Sequence, residues 1–321
     1  MPGTPHAIEA EGLRKWYGGT LALDGLGLRV RAGTVHGLLG PNGSGKTTAV
    51  RALATLLRYD EGRATVCGAD VAREPARVRD MIGLTGQNAA VDEILSGRQN
   101  LVLFGRLFQL SRRAARRRAD ELLTQFSLTD AANRSPEHYS GGMRRRLDLA
   151  AGLILTPRVL FLDEPTTGLD PRSRNQVWEA VRSLVAGGTT VLLTTQYLEE
   201  ADQLADTVSV LDDGRVVAEG TPDELKARTG GYRIEVVVRY AAELGTVAEI
   251  LRGAGTGPPE TDPDTRRASA PVTDPVTALS EVARALHSAG VAVEDLGTRR
   301  PTLEEVFLQL TGRRTEQEIP A

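Results

Sequence analysis

The sequence contains one cysteine, Cys67, among its 321 residues, so the chain cannot form an internal disulfide. An isolated thiol is most simply a small buried side chain. The four histidines, His6, His36, His138 and His287, show none of the spacings that metal ligands have. This scarcity excludes a disulfide-stabilised scaffold and gives no reason to expect a metal site built from cysteine or histidine.

Long apolar runs are also missing. No stretch approaches the roughly 20 residues that a membrane-spanning helix needs, and the N-terminus has no charged segment followed by an apolar one. The formal net charge of -3, from 39 basic and 42 acidic residues, gives no overall attraction to nucleic acid or anionic lipid. We therefore expect a cytosolic chain that does not itself cross a membrane and has no nucleic-acid partner.

Length and composition favour two domains, since 321 residues with 40% hydrophobic composition are long for one. Residues 7 to 39 read as short strands, and a helical pattern follows from Lys46 to Leu57. The apolar spacing is again helical from about residue 96 to 155, whereas residues 158–163 and 189–194 are short continuous apolar runs. This alternation predicts an α/β domain with a buried parallel sheet and an inserted helical subdomain.

The turn Asp212-Asp213-Gly214 predicts a hairpin near the end of this domain, which closes with a helix near residues 222–228. We predict the domain boundary after residue 228. Residues 229–321 read as a small accessory α+β domain, ferredoxin-like in its order of elements. Its predicted strands are residues 233–239 and 291–295, its predicted helices are residues 244–252, 278–289 and 303–310, and a stretch rich in Pro, Asp and Thr spans residues 255–275.

A glycine-rich turn lies between a predicted strand and a predicted helix. Its sequence is Gly40-Pro41-Asn42-Gly43-Ser44-Gly45-Lys46-Thr47, which satisfies the phosphate-loop pattern. In such loops the backbone amides face phosphate oxygens, the lysine reaches the β and γ phosphates, and the threonine hydroxyl binds Mg²⁺. The alternative is a chance glycine-rich turn. The context predicts an ATP site with Mg²⁺ as cofactor, formed by Asn42, Gly43, Ser44, Gly45, Lys46, Thr47 and Thr48.

Two adjacent carboxylates, Asp163 and Glu164, end the apolar run that begins at Val159. The carboxyl end of a buried strand is where open α/β sheets bind their ligands. Asp163 suits the magnesium shell, and Glu164 suits a general base that polarises the attacking water. A solvated strand end is the competing interpretation for an acidic pair alone, and the phosphate loop favours the catalytic one.

A third motif, Tyr139-Ser140-Gly141-Gly142-Met143, precedes a helical run and lies shortly before the strand that carries Asp163. With the phosphate loop and the acidic pair, it resembles the ATP-binding cassette (ABC) family over roughly residues 7 to 228. The resemblance implies an ABC-type fold with a mixed sheet and a helical subdomain. It also implies ATP hydrolysis by a homodimer of cassettes.

The same resemblance implies roles for individual residues. Residues Ser140 to Met143 would cap the γ-phosphate bound by the opposite subunit, as suits the positive end of a helix. Tyr17 would stack on adenine, and Gln87 would link the magnesium site to a membrane subunit. Asp170, in the loop Thr167-Gly168-Leu169-Asp170, would contact the partner cassette.

Three stretches resemble a subgroup, the daunorubicin/doxorubicin-resistance type of export ATPase. They are Tyr139 to Met143, Thr194-Thr195-Gln196-Tyr197-Leu198 and the tail from Arg300 to Gly312. The permease is a separate polypeptide in that subgroup. The resemblance implies a peripheral protein on the cytoplasmic face of the cell membrane that energises export of a drug, antibiotic or other hydrophobic compound.

Two positions depart from the family pattern: Met143 stands where glutamine is more usual, and Gln196 stands where most cassettes carry a histidine. Glutamine donates a hydrogen bond but cannot take a proton at neutral pH. A non-hydrolysing nucleotide switch therefore stays open as an alternative, as does a cassette ATPase that acts outside transport. The intact Glu164 favours hydrolysis.

Overall fold

The structure, a computed structural model, describes residues 6–86, 90–228 and 232–312. The chain divides into two compact units between Pro222 and Asp223. The predicted boundary after residue 228 stays a prediction, and the helix Pro222–Arg228 lies between the two positions.

The first unit contains two sheets. Its strands are β1 His6–Tyr17, β2 Thr20–Arg31, β3 Val35–Leu39, β4 Glu61–Val66, β5 Ala69–Asp70, β6 Ile82–Thr85, β7 Val159–Asp163, β8 Thr190–Thr195, β9 Thr207–Asp212 and β10 Arg215–Gly220. One sheet has the order β2-β1-β4-β5, and the other has the order β10-β9-β3-β8-β7-β6. The prediction of short strands before residue 40 was wrong for β1 and β2, each of which has 12 residues. Bulges shift their register at several points, which breaks the strict alternation that marks a long strand.

The larger sheet positions the functional residues. β6, β7, β8, β3 and β9 are parallel neighbours, and β10 joins β9 in an antiparallel hairpin. Every residue of β3, β7 and β8 is buried, as in a sheet covered on both faces. Since parallel strands share one carboxyl edge, the segments that follow these three strands meet there. The sheet is mixed, as predicted.

The helices of the first unit are α1 Lys46–Leu53, α2 Pro75–Arg79, α3 Gly97–Leu107, α4 Arg112–Gln125, α5 Gly141–Gly152, α6 Pro171–Ala186 and α7 Leu198–Leu204. α3, α4 and α5 form the predicted helical subdomain, and their buried side chains share one apolar core with Leu160, Leu162, Val191 and Leu193 of the sheet. α1 ends earlier than predicted, because Thr55 takes a left-handed conformation with φ 64°.

The second unit is a small α+β domain. Its strands are β11 Arg233–Val238, β12 Glu260–Asp262, β13 Arg267–Pro271 and β14 Val293–Arg299, and its helices after α8 (Pro222–Arg228) are α9 Leu244–Ala254, α10 Pro275–Ser288 and α11 Leu303–Thr311. The sheet is antiparallel, with the order β12-β13-β11-β14. The predicted small α+β domain is confirmed, and its order of elements, β-α-β-β-α-β, is that of the ferredoxin-like split βαβ arrangement.

The hairpin of β12 and β13 was missed, because it lies in the stretch rich in Pro, Asp and Thr. All three residues of β12 are exposed, so the apolar alternation that marks a strand is absent. The side chain of Asp262 accepts hydrogen bonds from the backbone of Asp264 and Thr265, which closes the turn between the strands. Over the described ranges, no helix is long and apolar enough to cross a membrane.

Candidate active site

The phosphate-loop sequence forms the turn between β3 and α1. Gly45 has φ 105°, and a Cβ there would lie 2.5 Å from the carbonyl oxygen of Ala22, so only glycine fits. The backbone N–H of Gly40 donates to the carbonyl of Thr195 at 3.3 Å, which ties the loop to the end of β8. Ser44 is buried, and its hydroxyl has no partner within the part of the chain that the structure describes.

Lys46 lies inside this loop and is almost fully buried. Its ammonium donates to the carbonyls of Gly40 at 2.8 Å and Pro41 at 3.0 Å, and lies 3.5 Å from Oε1 of Glu164. Burial lowers the pKa of Lys46, and the carboxylates of Glu164 and Asp163 oppose that shift. The loop thus holds a cation among oxygen acceptors at the start of α1.

Side-chain oxygen atoms from α1, β7 and β8 lie close together beside Lys46. Oδ1 of Asp163 accepts from the hydroxyl of Thr47 at 3.2 Å and from that of Thr194 at 2.6 Å. Hydroxyl and carboxylate oxygens are the ligands that hard divalent cations prefer. The described residues contain no cluster of three or more His, Cys, Asp or Glu that could hold a metal by themselves. Thr47 and Asp163 therefore fit Mg²⁺ that arrives with phosphate oxygens and water.

Glu164 has a left-handed backbone conformation, with φ 51°, which is uncommon for a residue other than glycine. Its backbone N–H donates to both oxygens of Thr194, each at 3.1 Å. Its carboxylate faces Lys46 through Oε1, and Oε2 lies 3.5 Å from the hydroxyl of Thr167. The turn thus aims the carboxylate at the mouth of the phosphate loop.

The serine of the Ser-Gly-Gly motif caps α5, since the Ser140 side chain accepts from the N–H of Met143 at 3.2 Å. Ser140 and Gly141 are exposed. A Cβ on Gly142 would lie 2.5 Å from Oγ of Ser173, so the helix start packs directly against α6. Met143 is partly buried and packs against the apolar core. The motif thus adjoins the start of α6.

Asp170 caps α6. Its carboxylate accepts from the backbone N–H of Ser173 at 3.0 Å and from the Ser173 hydroxyl at 2.6 Å, and these bonds lower the pKa of Asp170. The loop before it turns at Gly168, which has φ 73°. Asp170 and the Ser-Gly-Gly motif therefore lie side by side, joined through Ser173.

Of the remaining predicted site residues, the structure describes Tyr17 and Gln196 but not Gln87. Tyr17 ends β1 with its side chain about half exposed, and the Lys15 ammonium lies 5.8 Å from the centre of its ring. Gln196 directly follows β8 and is half-buried, next to the Thr195 carbonyl that accepts from Gly40. Gln87 lies outside the described residues.

Sequence reasoning missed two buried ionic residues near this edge, Arg145 on α5 and Glu200 on α7. Arg145 donates to several backbone carbonyls, among them Pro165 at 2.7 Å. Glu200 accepts from the hydroxyl of Thr166 at 2.9 Å and from the indole of Trp178 at 3.3 Å, and burial raises its pKa. The available signal was a charged residue at a core-facing position of an amphipathic helix.

Two family models match this chain, one within the first unit and one over most of the second. A family model described as ABC transporter matches residues 23–167, and one described as ATP-binding protein DrrA1-3-like, C-terminal domain, matches residues 220–311. The chain is 65% identical over 311 residues to the daunorubicin resistance ATP-binding protein DrrA2 of Streptomyces coeruleorubidus, with 97% of each chain covered. It is 54% identical over 310 residues to the daunorubicin/doxorubicin resistance ATP-binding protein DrrA of Streptomyces peucetius, covering 95% of this chain and 92% of that one.

Among solved structures, one similar chain is an ATP-binding cassette in a dimeric, post-hydrolysis state bound to ADP and Pi. The TM-score is 0.61 at 25% identity, and the match covers 67% of this chain and 98% of that chain. The fold predicted for the first unit is thus confirmed.

Proposed function

This chain belongs to the ABC transporter family as an ATP-binding, ATP-hydrolysing subunit, and we propose that it energises export of a drug, antibiotic or other hydrophobic compound through a separate membrane permease. The observation that carries the proposal is the 65% identity to a daunorubicin resistance ATP-binding protein along 97% of both chains. A match of that length includes the accessory unit as well as the cassette.

The phosphate loop binds ATP in this proposal. The amides of Asn42 to Thr48 face the phosphates, and Lys46 exchanges the carbonyls of Gly40 and Pro41 for phosphate oxygens, which accept stronger, charge-assisted hydrogen bonds. The hydroxyl of Ser44, which has no partner among the described residues, is one further polar group at this loop. Tyr17, exposed at the end of β1, provides an aromatic face for adenine.

Thr47, Asp163 and Gln87 are the residues that would hold Mg²⁺. The ion, when bound, neutralises charge on the phosphate oxygens. Glu164 accepts the proton of the attacking water, and the left-handed turn at this residue keeps its carboxylate directed into the site. Gln196 donates a hydrogen bond toward the γ-phosphate from the end of β8.

Two cassettes complete each site between them. The helix start at Ser140 and Gly141 is exposed, and the first amides of an α-helix have no partner within the helix, which suits them to an anion. We assign Ser140 to Met143 to the γ-phosphate of the opposite subunit, and the neighbouring Asp170 loop to the contact between cassettes. The dimeric cassette among the similar structures supports this arrangement.

The permease docks on an apolar groove of the cassette. A cavity of about 250 Å³ opens between the sheet and the helical subdomain, and its lining includes Ala90, Phe104, Phe108, Asp148 and Leu155. Leu56, Phe108 and Leu155 are exposed around it. Contiguous exposed apolar surface of this kind marks a protein interface. Docking there places the chain on the cytoplasmic face of the membrane as a peripheral subunit.

The two alternatives are not favoured. Full-length similarity to resistance ATP-binding proteins argues against an ATPase outside transport. The convergence of Lys46, Asp163 and Glu164 supports turnover and argues against a switch that only binds nucleotide.

The test is to produce this chain together with a candidate membrane permease in cells and to measure ATP-driven uptake of daunorubicin into inside-out vesicles made from them. We expect uptake to require ATP and to stop with Glu164→Gln. If the wild-type chain hydrolyses ATP but drives no uptake of daunorubicin or of other hydrophobic drugs, the export proposal is wrong.

A further inference from the structure

Arg145, in the second turn of α5, fastens that helix to the end of β7. Its side chain is almost fully buried and donates to the carbonyls of three successive residues. Nε donates to Pro165 at 2.7 Å, and Nη2 donates to Asp163 and to Glu164, each at 3.3 Å. These carbonyls surround the turn in which Glu164 is left-handed.

The other side of the guanidinium faces β6. Nη1 donates to the carbonyl of Gly86 at 2.7 Å and lies 3.3 Å from Oδ2 of Asp148, one helical turn further along α5. Oδ1 of Asp148 accepts from the N–H of Ala90 at 2.8 Å. The pair therefore holds the described residues that flank positions 87–89, as well as the turn at Glu164.

The conformation of Glu164 depends on contacts from two directions. Thr194 of β8 binds its N–H, and Arg145 binds its carbonyl. A left-handed conformation in a residue other than glycine persists only where its surroundings enforce it. Because one of these contacts comes from α5, a displacement of that helix reaches the backbone that aims the Glu164 carboxylate.

We propose that Arg145 is a positioning residue for ATP hydrolysis, which links the Ser140 end of α5 to Glu164 in the site of its own chain. The inference rests on the proposed function, which assigns Ser140 to Met143 to the ATP of the opposite subunit. In this arrangement ATP bound by the partner cassette fixes the position of α5. Through its hydrogen bond to the carbonyl of Glu164, Arg145 then fixes the backbone of the general base. Each site thereby senses whether the other is occupied.

Arg145→Lys is the primary variant, since lysine keeps the charge but cannot reach the four carbonyls with one planar group. We expect kcat to fall at least about tenfold, while KM and ATP affinity stay within about threefold, as for loss of an interaction that acts on turnover alone. Cooperativity in ATP concentration should also fall, with the Hill coefficient approaching 1.

Arg146→Lys is the matched control. Arg146 is the next residue of α5 and also donates to a backbone carbonyl, that of Phe126 at 2.8 Å in the helical subdomain. Its replacement should leave kcat, KM and the Hill coefficient unchanged. Equal losses of kcat in the two variants would mean that Arg145 only fastens the helix, and would overturn the proposal.

A double variant tests whether Arg145 acts through Glu164. In single-turnover measurements, Arg145→Lys should lower the residual rate of Glu164→Gln by less than about twofold, because the group that it positions is already disabled. A full additional tenfold loss would overturn the proposal.

If Arg145→Lys does not fold, Asp148→Asn serves instead, since asparagine still accepts from Ala90 but no longer pairs with Arg145. Wild-type chain without ATPase activity would contradict the proposed function itself, whereas normal turnover in Arg145→Lys contradicts only this inference.

Discussion

Buried charge distinguishes the two units. The first buries Lys46, Arg145, Asp148, Asp163 and Glu200, whereas the one buried polar side chain among the described residues of the second is Ser269. Burying an ionic group costs free energy unless partners compensate for its lost hydration. The first unit bears this cost at the edge of the sheet where the proposed chemistry takes place.

The ion pairs of the second unit lie nearer the solvent. Arg299 binds Glu235 at 3.0 Å and Glu305 at 2.8 Å, and the three side chains keep 15% to 35% of their area exposed. Partly exposed pairs contribute little to stability, about 0–1 kcal/mol each. The comparison indicates that ionic substitutions have functional consequences in the first unit and small ones in the second, which the following experiments test.

The largest effect is expected at Glu164. Glu164→Gln should slow hydrolysis by about 100- to 10,000-fold, the contribution of a positioned general base, and leave ATP binding intact. With Mg-ATP the variant should accumulate as a closed dimer that size-exclusion chromatography resolves. Phosphate release at the wild-type rate would remove Glu164 from the mechanism.

Lys46→Ala should weaken ATP binding by about 100- to 4,000-fold, since removing one partner of a buried ion pair costs about 3–5 kcal/mol. Isothermal titration with ATP measures the loss. Lys226→Ala, in the second unit, is the control and should bind as the wild type does. Wild-type affinity in Lys46→Ala would refute the assignment of the phosphate loop.

A smaller effect on the rate of hydrolysis is expected at Gln196. Gln196→Ala should lower hydrolysis roughly ten- to a hundredfold, because a hydrogen bond to a charged group is worth about 1–3 kcal/mol. Gln196→His should stay active, with a pH dependence between about 5 and 8 that glutamine cannot show. ATPase rates against pH for the three forms give the answer, and full activity in the alanine variant would exclude a role at the γ-phosphate.

Substitution of His36 tests whether a buried titratable group of the first unit outside the proposed site affects the stability of the fold. It is buried on β3, 2.8 Å from the Ser209 hydroxyl, which donates to Glu219, and burial lowers the pKa of His36 to about 4. The folded state therefore binds fewer protons than the unfolded one, so stability falls as pH drops from about 6.5 toward 4. Between pH 7.5 and 5 this group should lower the free energy of unfolding by about 2 kcal/mol. His36→Gln should abolish that part of the pH dependence of the free energy measured by urea unfolding. Identical slopes would show that His36 is not responsible.

The smallest effect is expected from removing the second unit. A chain that ends at Pro222 should bind ATP within about threefold of the full chain, because every residue of the proposed ATP site belongs to the first unit. Titration with ATP measures this, with circular dichroism to show that the shortened chain folds. A folded variant that has lost ATP binding would contradict the separation of roles.

The sequence predicted those parts of the molecule in which local pattern and chemistry coincide. Gly40 to Thr47, Asp163 and the Ser140 cap all lie where the pattern indicated, because each depends on neighbouring residues along the chain. The family resemblance is confirmed. The roles of individual site residues, including Gln87 and Asp170, stay predictions.

What could not be predicted depends on contacts between distant segments. Arg145 lies next to other arginines in the sequence, and only the fold shows that it is buried against the end of β7 while Arg146 turns to the helical subdomain. The bulged length of β1 and the exposed strand β12 carry no regular apolar alternation. In each case the information is in tertiary packing and not in the local sequence.

The short strand β12 has a consequence for how the subunit behaves in solution. It is the edge of its sheet, only three residues long, and two of those residues are the acids Glu260 and Asp262. A long, flat, uncharged edge invites pairing with strands of other chains, and a brief, negatively charged one resists it. We therefore expect this edge of the sheet to resist pairing with strands of other chains.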